Sequence, residues 1–294
     1  MKSGFVAILG RPNVGKSTLL NAIMNKKVSI VTDKAQTTRN NIKGIYNGDN
    51  LQIIFVDTPG IHKPKQKLGK EMNDMAYSAA HDVDVSILVV DASLPFGVGD
   101  QYIIDHLDIH NTPLIIVFNK IDLARITEVN KLKQIYKNVF PEAEIIEVVA
   151  TDKFNLDELI NKISNLLEEG PIYYPVDIFS DKDEIFQIKE IIREKILKEL
   201  SQEVPHSIAI YMDNIDWEKS PILIQATIVV EKDSQKGIVI GAKGQRIKNI
   251  GFKARRDIEK LLNKHVYLEL FVKVEEDWRD KEKALKKFGY KKED

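Results

Sequence analysis

The chain is predicted to fold as a doubly wound α/β domain followed by a smaller α+β domain. Three observations predict it. Apolar strand-like runs alternate with helical periodicity through residue 169, a Gly- and Pro-containing break runs from Glu168 to Pro175, and beyond the break the order of elements changes. Strand candidates end at Leu9, Val56, Val90, Phe118 and Val149, and helical spacing follows each at 16–25, 68–80, 99–110, 128–138 and 155–168. After the break the pattern predicts a helix near 184–200, strands near 207–213 and 222–231, helices around Gly241, and a strand near 266–274. The expected organisation is therefore a first domain over 1–170, a linker over 171–180 and a second domain over 181–294.

Composition is that of an ordinary globular chain. The 294 residues are 43% hydrophobic and 30% charged, with a net charge of −1, which points to neither a disordered nor a membrane class. No cysteine occurs, so disulfides and thiolate metal sites are excluded, and His62, His81, His106, His110, His206 and His265 are too scattered to form a metal cluster. The first apolar run is consumed by the first strand and no run reaches bilayer length. The expected location is the cytoplasm.

The first strand runs directly into Gly10-Arg11-Pro12-Asn13-Val14-Gly15-Lys16-Ser17, a complete Gly-x-x-x-x-Gly-Lys-Ser loop, followed by Thr18 and a helical segment. In that context backbone N–H groups at the helix start point at phosphates, Lys16 supplies a positive charge and Ser17 a magnesium ligand. A nucleoside triphosphate is the expected ligand. A second apolar strand ends in Asn119-Lys120-Ile121-Asp122. The Asp122 carboxylate accepts two hydrogen bonds from the ring N–H and exocyclic amine of guanine, donors that adenine does not offer at that edge, so GTP is favoured over ATP. Between them, Leu51 to Val56 leads into Asp57-Thr58-Pro59-Gly60, where Asp57 holds the magnesium shell and Gly60 brings its N–H to the γ-phosphate. All three motifs close an apolar strand, and ligands on such sheets bind at strand carboxyl ends.

The second domain contains no further phosphate loop. Its segment Gly237 to Ile247 includes Gly241-Ala242-Lys243-Gly244, preceded by Ile240 and followed by Arg246 and Lys248. Gly-x-x-Gly ahead of a helix lets backbone amides clamp a nucleic-acid backbone, although a plain helix-joining turn reads the same way. From Lys236 to Lys264 there are nine basic residues against Asp257 and Glu259 in a chain whose net charge as a whole is only −1, which is the electrostatic footprint of RNA binding, with a solvated helix face as the alternative.

These motifs, together with Gln36-Thr37-Thr38-Arg39, Glu203-Val204-Pro205-His206-Ser207 and Trp278-Arg279, resemble the Era family of bacterial GTPases over essentially the full length. The resemblance implies a P-loop GTPase domain followed by a type II K-homology (KH) domain. It implies binding of GTP and GDP, Mg2+ as cofactor, the 3′ end of small-subunit ribosomal RNA as ligand of the KH domain, and a part in maturation of the pre-small ribosomal subunit. Carried onto this sequence, Lys16 contacts the β- and γ-phosphates, Ser17 and Thr38 ligate magnesium, Asp57 holds its outer shell and Gly60 senses the γ-phosphate. Ile30 to Thr38 becomes the first switch and residues 60–80 the second. A nucleotide-dependent order–disorder change would be the switching event. Peripheral association with the inner face of the cell membrane goes with the resemblance, and the sequence contains no amphipathic anchor for it. A monomer is expected.

Two positions bear on catalysis. Ile61 stands where Ras-like GTPases carry glutamine and cannot orient the attacking water. Asn13 resembles the asparagine of potassium-activated GTPases, in which K+ is held by that amide and by first-switch carbonyls, here near Thr32 and Lys34. The plainer alternative is that Asn13 only braces the loop. The family's Ser-Ala pattern appears as Val149-Ala150-Thr151, so Ala150 is expected to offer its backbone N–H to the guanine oxygen and the missing serine bears on the tightness of binding.

Other features read as structural. Tyr173 and Tyr174 are expected to pack the two domains together, Trp278 to be no RNA contact, His206 to be a satisfied turn histidine, Asp181, Asp183 and Glu184 to stabilise a helix start, and Lys281 to Asp294 to form a solvated last helix with a frayed end. Two function classes follow: a GTP-gated RNA-binding switch, or an RNA-binding scaffold or chaperone in which hydrolysis is incidental. Reciprocal coupling between nucleotide and RNA separates them. The single phosphate loop argues against the double-GTPase ribosome-assembly family.

Overall fold

The computed structural model describes residues 1–107, 112–200 and 204–291. The end of the helix expected at 99–110, Glu203 and the last three residues lie outside the described residues. By its contacts the chain divides into two compact units. One comprises Met1–Val31, Thr38–Lys65 and Gly69–Asp181, and the other Thr32–Thr37, Gln66–Leu68 and Lys182–Asp294.

The first unit is built on a six-stranded sheet formed by β1 (Lys2–Leu9), β2 (Ile42–Gly48), β3 (Leu51–Asp57), β4 (Val85–Asp91), β5 (Leu114–Asn119) and β6 (Glu144–Val148), in the order β2-β3-β1-β4-β5-β6. All neighbours are parallel except β2, which runs antiparallel to β3. Helices α1 (Lys16–Met24), α2 (Lys67–His81), α3 (Val98–His106), α4 (Ile126–Val139) and α5 (Leu156–Leu166) complete the unit. The central strands read as continuous apolar runs because both faces are covered. Alternate residues divide between two cores. Val6, Ile8, Ile87, Val89, Ile115 and Val117 meet Leu19 and Leu20 of α1 and Leu159 and Ile163 of α5. Ala7, Leu9, Leu88, Val90, Ile116 and Phe118 meet Ala76 of α2, Ile103 of α3 and Leu132 and Tyr136 of α4. The doubly wound arrangement puts the carboxyl ends of β1, β3 and β5 together.

The segment expected to be a plain linker is docked on the first unit. Gln52, fully buried in β3, donates to the carbonyl of Tyr174 at 2.8 Å and accepts the backbone N–H groups of Tyr173 at 2.8 Å and Tyr174 at 3.1 Å. The Tyr173 ring meets Phe5 edge-on at 4.9 Å. Within the first unit, then, Tyr173 packs on Phe5 and the backbone of both tyrosines is held by Gln52. Farther along, Ile45 donates its N–H to the carbonyl of Phe179 at 3.1 Å and Lys43 to the Asp181 carboxylate at 2.9 Å. Open donors of the edge strand β2 are thereby satisfied. Of the three acids expected at the next helix start, Asp183 is the cap, accepting the Phe186 N–H at 2.7 Å.

The second unit follows the order α6 (Glu184–Glu199), β7 (Ala209–Asp216), β8 (Ile222–Val230), α7 (Asp233–Ile240), α8 (Gln245–Leu262), β9 (Val266–Val274) and α9 (Glu282–Lys287). Strand β8 is central, antiparallel to β7 and parallel to β9. Ile188, Ile192 and Ile196 of α6 and Ile250, Ala254 and Ile258 of α8 pack with Ile224, Ala226 and Ile228 of β8 in one core. The strand expected from 207 starts at Ala209, because Val204–Ser207 forms a 3-10 turn. No helix among the described residues is long and apolar enough to cross a membrane.

The chain end is not merely solvated. Trp278 is fully buried and donates its indole N–H to the Ser207 carbonyl at 2.8 Å, with Phe288 edge-on at 5.4 Å and Tyr290 stacked at 5.8 Å. Leu285 and Phe288 are buried as well, so a narrow apolar stripe within the Lys- and Glu-rich tail closes this cluster. Trp278→Ala is expected to destabilise the second unit by about 3–5 kcal/mol. Hydrogen exchange would register this as lost protection in β7 and α9 with the first unit unchanged.

Candidate nucleotide and RNA sites

Helix α1 starts at Lys16, immediately after Gly15 at φ 102°. A methyl group at Gly15 would lie 2.2 Å from Nδ2 of Asn119, so both the dihedral and the close approach require glycine. The Asn119 amide donates to the Val14 carbonyl at 2.9 Å and accepts the Ala150 N–H at 3.1 Å. The Ala150 N–H, expected to meet the guanine oxygen, is donated in this structure to Asn119 and orients that side chain. Lys120 adopts the left-handed conformation at φ 63° and reaches the carbonyl of Asn13, itself at φ 65°, at 2.8 Å. Asp122 is exposed just beyond, in the 3-10 turn Ile121–Leu123.

Lys16 is only 6% exposed, and its ammonium donates to the carbonyls of Gly10 at 3.1 Å and Arg11 at 2.9 Å. Burial pushes its pKa down to about 8, against the opposing pull of Asp57. A buried ammonium whose charged form is penalised gains most from an anionic ligand, which is what a polyphosphate supplies. Arg11 points elsewhere: its Nε lies 3.0 Å from buried Asp100 of α3.

Ser17, Thr38 and Asp57 converge. The Ser17 hydroxyl donates to Asp57 Oδ2 at 2.7 Å and lies 2.8 Å from the Thr38 hydroxyl. Burial pushes the Asp57 carboxyl up, countered by Lys16 and by the Ser17 hydroxyl, and its Oδ1 is a buried oxygen without a hydrogen-bond partner among the described residues. Two hydroxyls and one carboxylate form a hard oxygen set that fits Mg2+, which takes few protein ligands and completes its shell with phosphate and water. Thr58 donates to the Ile8 carbonyl at 2.7 Å, tying the third motif to the first strand. Gly60 and the buried Ile61 follow, with Ile61 donating its N–H to the Gly10 carbonyl at 3.1 Å.

Thr32 and Lys34, the proposed first-switch donors to potassium, lie in one turn of the second unit. Lys34 donates its N–H to the Thr32 hydroxyl at 3.1 Å, and the Thr37 hydroxyl donates to the Lys34 carbonyl at 2.6 Å. In the same unit the buried guanidinium of Arg193, on α6 and paired with Glu190, donates to the carbonyl of Thr37.

The Gly-x-x-Gly loop joins α7 to α8. Gly241, Lys243 and Gly244 all have positive φ, at 72°, 49° and 76°, and Ala242 and Lys243 are exposed at the tip. No atom would lie within 4 Å of a side chain at Gly244, so glycine serves the dihedral and leaves the approach open. Arg246 donates to the Ile238 carbonyl, which secures the turn, while Lys248 projects into solvent. Ile240 is partly buried behind the loop.

Beyond the loop, the sequence reading missed a groove of about 370 Å³ between α8 and β9, lined by Lys248, Gly251, Phe252, Arg255 and Tyr267 among others. Phe252 and Tyr267 are 53% and 54% exposed, and the guanidinium groups of Arg255 and Arg256 each lie 5.9 Å from the Phe252 ring. Exposed aromatics between cations are stacking platforms for bases. The available signal was Phe252 amid Lys253, Arg255 and Arg256, on the polar side of an amphipathic helix.

Asp122→Asn keeps the shape of the base-reading side chain but exchanges one acceptor for a donor. Guanine nucleotide affinity should fall by roughly a hundredfold or more, while xanthine nucleotide, with an oxygen in place of the amine, gains. Competition titration with the two nucleotides measures both effects.

Comparison with known proteins agrees with this geometry. The family described as 50S ribosome-binding GTPase matches residues 5–120, and the KH domain family matches residues 203–279. GTPase Era of Leuconostoc citreum (strain KM20) is 49% identical over 295 aligned positions, covering 99% of this chain and 97% of that protein. Among solved structures, Era in complex with MgGDPNP and nucleotides 1506–1542 of 16S ribosomal RNA is similar at TM-score 0.93 and 41% identity, covering 99% of both chains. An Aquifex aeolicus Era variant bound to GDP and AlF4− is similar at TM-score 0.92 and 40% identity, again over 99% of both chains. Sequence identity over the whole length, with a GTPase domain and a KH domain in the same order, makes this chain a member of the Era family of GTPases.

Proposed function

We propose that the chain is a GTP-hydrolysing switch whose KH domain binds the 3′ end of small-subunit ribosomal RNA during maturation of that subunit. The observation that carries this reading is the presence, in one chain, of the Ser17–Thr38–Asp57 cluster beside a buried Lys16 and of the Gly241–Gly244 loop bordering an aromatic, basic groove. The solved relative that carries MgGDPNP and a 16S ribosomal RNA segment supports the same pairing of ligands.

In this mechanism Asp122 reads guanine, Asn119 and Lys120 hold the phosphate loop in shape, and Lys16 faces the β- and γ-phosphates. Ser17, Thr38 and Asp57 hold Mg2+, which when bound neutralises charge developing on the transferred phosphoryl group. Gly60 senses the γ-phosphate. Thr38 follows directly on Thr37, whose carbonyl Arg193 holds, so release of Thr38 after hydrolysis frees the segment that the first KH helix grips. Lys243 and Lys248 meet the RNA backbone, and Phe252 and Tyr267 stack bases. The working unit in this reading is a monomer.

The test is the affinity of a short RNA copying the small-subunit 3′ end, at fixed salt, with a non-hydrolysable GTP analogue and with GDP. Tight binding in the GTP-like state is expected, weakened on the order of tenfold or more by Lys243→Asp. Equal affinity in both nucleotide states would leave the scaffold reading, and absence of binding would overturn the RNA assignment.

Catalysis needs an electrostatic source other than the residue at 61, because buried, aliphatic Ile61 orients no water. Potassium held by the Asn13 amide with the carbonyls of Thr32 and Lys34 is the source proposed; such a cation supplies positive charge to the phosphoryl oxygens. Hydrolysis should then be faster in potassium than in sodium at matched ionic strength, on the order of tenfold, and Asn13→Ala should abolish the difference. Equal rates in the two salts for the unsubstituted chain would refute the cation's role.

A further inference from the structure

Asp91 is an acidic side chain to which none of the motifs assigns a role. It is the last residue of β4, stands opposite Asn119 in the sheet register, and is 4% exposed. Its Oδ1 accepts the N–H of Ser93 at 3.0 Å and the Ser93 hydroxyl at 2.5 Å. Its Oδ2 accepts the ammonium of Lys120 at 2.6 Å, and that same ammonium donates to the Asn13 carbonyl at 2.8 Å. A buried carboxylate held in place by Ser93 is therefore linked, through one cation, to the middle of the phosphate loop.

The two side chains of the Asn-Lys pair grip consecutive carbonyls of that loop, Asn119 on Val14 and Lys120 on Asn13. They are not equally anchored. Asn119 is planar, buried and fixed from its other end by the Ala150 N–H. Lys120 is a four-carbon stem with many rotamers and an ammonium that rotates freely. What gives it direction is the charge-assisted bond to Asp91. Its target also needs holding, since Asn13 sits at φ 65°, a left-handed conformation that costs energy for a residue other than glycine and persists only where its surroundings enforce it.

We propose that Asp91 is a positioning residue of the nucleotide site, a buried carboxylate that holds Lys120 on the Asn13 carbonyl and so keeps the phosphate loop in its binding shape. The inference rests on the assignment of this loop to guanine nucleotide binding. Because the Asn13 carbonyl is gripped whether or not a third phosphate is present, the effect falls on GDP and GTP alike. Asp91 thus sets nucleotide residence time in both nucleotide states, which is uniform binding in kinetic terms.

The test uses the full chain and dissociation of fluorescent GDP and of a fluorescent non-hydrolysable GTP analogue. Asp91→Asn keeps the side-chain shape and weakens the charge-assisted bond. Dissociation of both nucleotides is expected to accelerate on the order of tenfold, and by the same factor for the two, so that the ratio of their residence times stays that of the unsubstituted chain. Adding Asp91→Asn to Lys120→Gln should accelerate dissociation no further than Lys120→Gln alone, the signature of two residues acting as one unit. Dissociation at the unsubstituted rate in Asp91→Asn, or an undiminished effect in the Lys120→Gln background, would overturn the proposal. Should Asp91→Asn lose cooperative melting, Ser93→Ala leaves the carboxylate in place but loosens it, and faster release of both nucleotides is again expected; no change there overturns the proposal. Failure of the unsubstituted chain to bind guanine nucleotide would instead sink the assignment of the site itself.

Discussion

The ammonium of Lys16, buried at the head of α1, is the constraint on which the first domain is organised. A cation removed from water is costly unless oxygens surround it. Here the Gly10 and Arg11 carbonyls serve that purpose, and phosphate oxygens do so better because they carry charge. The loop is bent around the lysine, with Gly15 and Asn13 in left-handed conformations, and such a shape does not stand on its own. It is held from the end of β5 by Asn119 and Lys120, from beyond β3 by the Ile61 N–H on the Gly10 carbonyl, and behind Lys120 by Asp91 of β4. Three parallel strands therefore end at one place, and the sheet is the means of bringing them there.

The second domain solves a related problem with less machinery. Its loop must approach a sugar-phosphate backbone closely, and it does so with positive φ at three of four residues between α7 and α8. The loop is secured by the Arg246 bond to Ile238, and the groove beside it carries aromatic faces and cations. Both ligands of this protein are polyanions met at a glycine-rich turn ahead of a helix. The first is enclosed by a buried lysine and motifs from several strands, whereas the second lies along an open surface. The first arrangement suits a compact triphosphate, and the second suits a chain of nucleotides.

Much of this was legible in the chain before folding. Contiguous motifs were the clearest, because Gly10 to Ser17, Asp57 to Gly60, Asn119 to Asp122 and Gly241 to Gly244 each encode their geometry within a few residues. The central strands were legible because an apolar run buried on both faces has few other uses. Less legible were features in which one partner is anonymous. Asp91 is an ordinary acid at a strand end until the register sets it opposite Asn119. Tyr173 and Tyr174 look like part of a linker until Gln52, more than a hundred residues earlier, binds their backbone. The tail looks solvated because its lysines outnumber its apolar residues, yet Phe288 and Tyr290 pack on a fully buried Trp278 and Leu285 is buried with them.

By itself, then, the sequence determined the fold class, the nucleotide class and the presence of a nucleic-acid loop, since each depends on local dihedrals, periodicity or the donors and acceptors of a short motif. Only the tertiary structure decided which side chains meet: Ser17 with Thr38 and Asp57, Lys120 with Asp91, Phe252 with the groove along β9. Those encounters depend on strand order and register, which arise from packing the whole chain against itself. A hydroxyl, a carboxylate or an aromatic ring carries no mark of its partner until both have been buried or brought to the same edge.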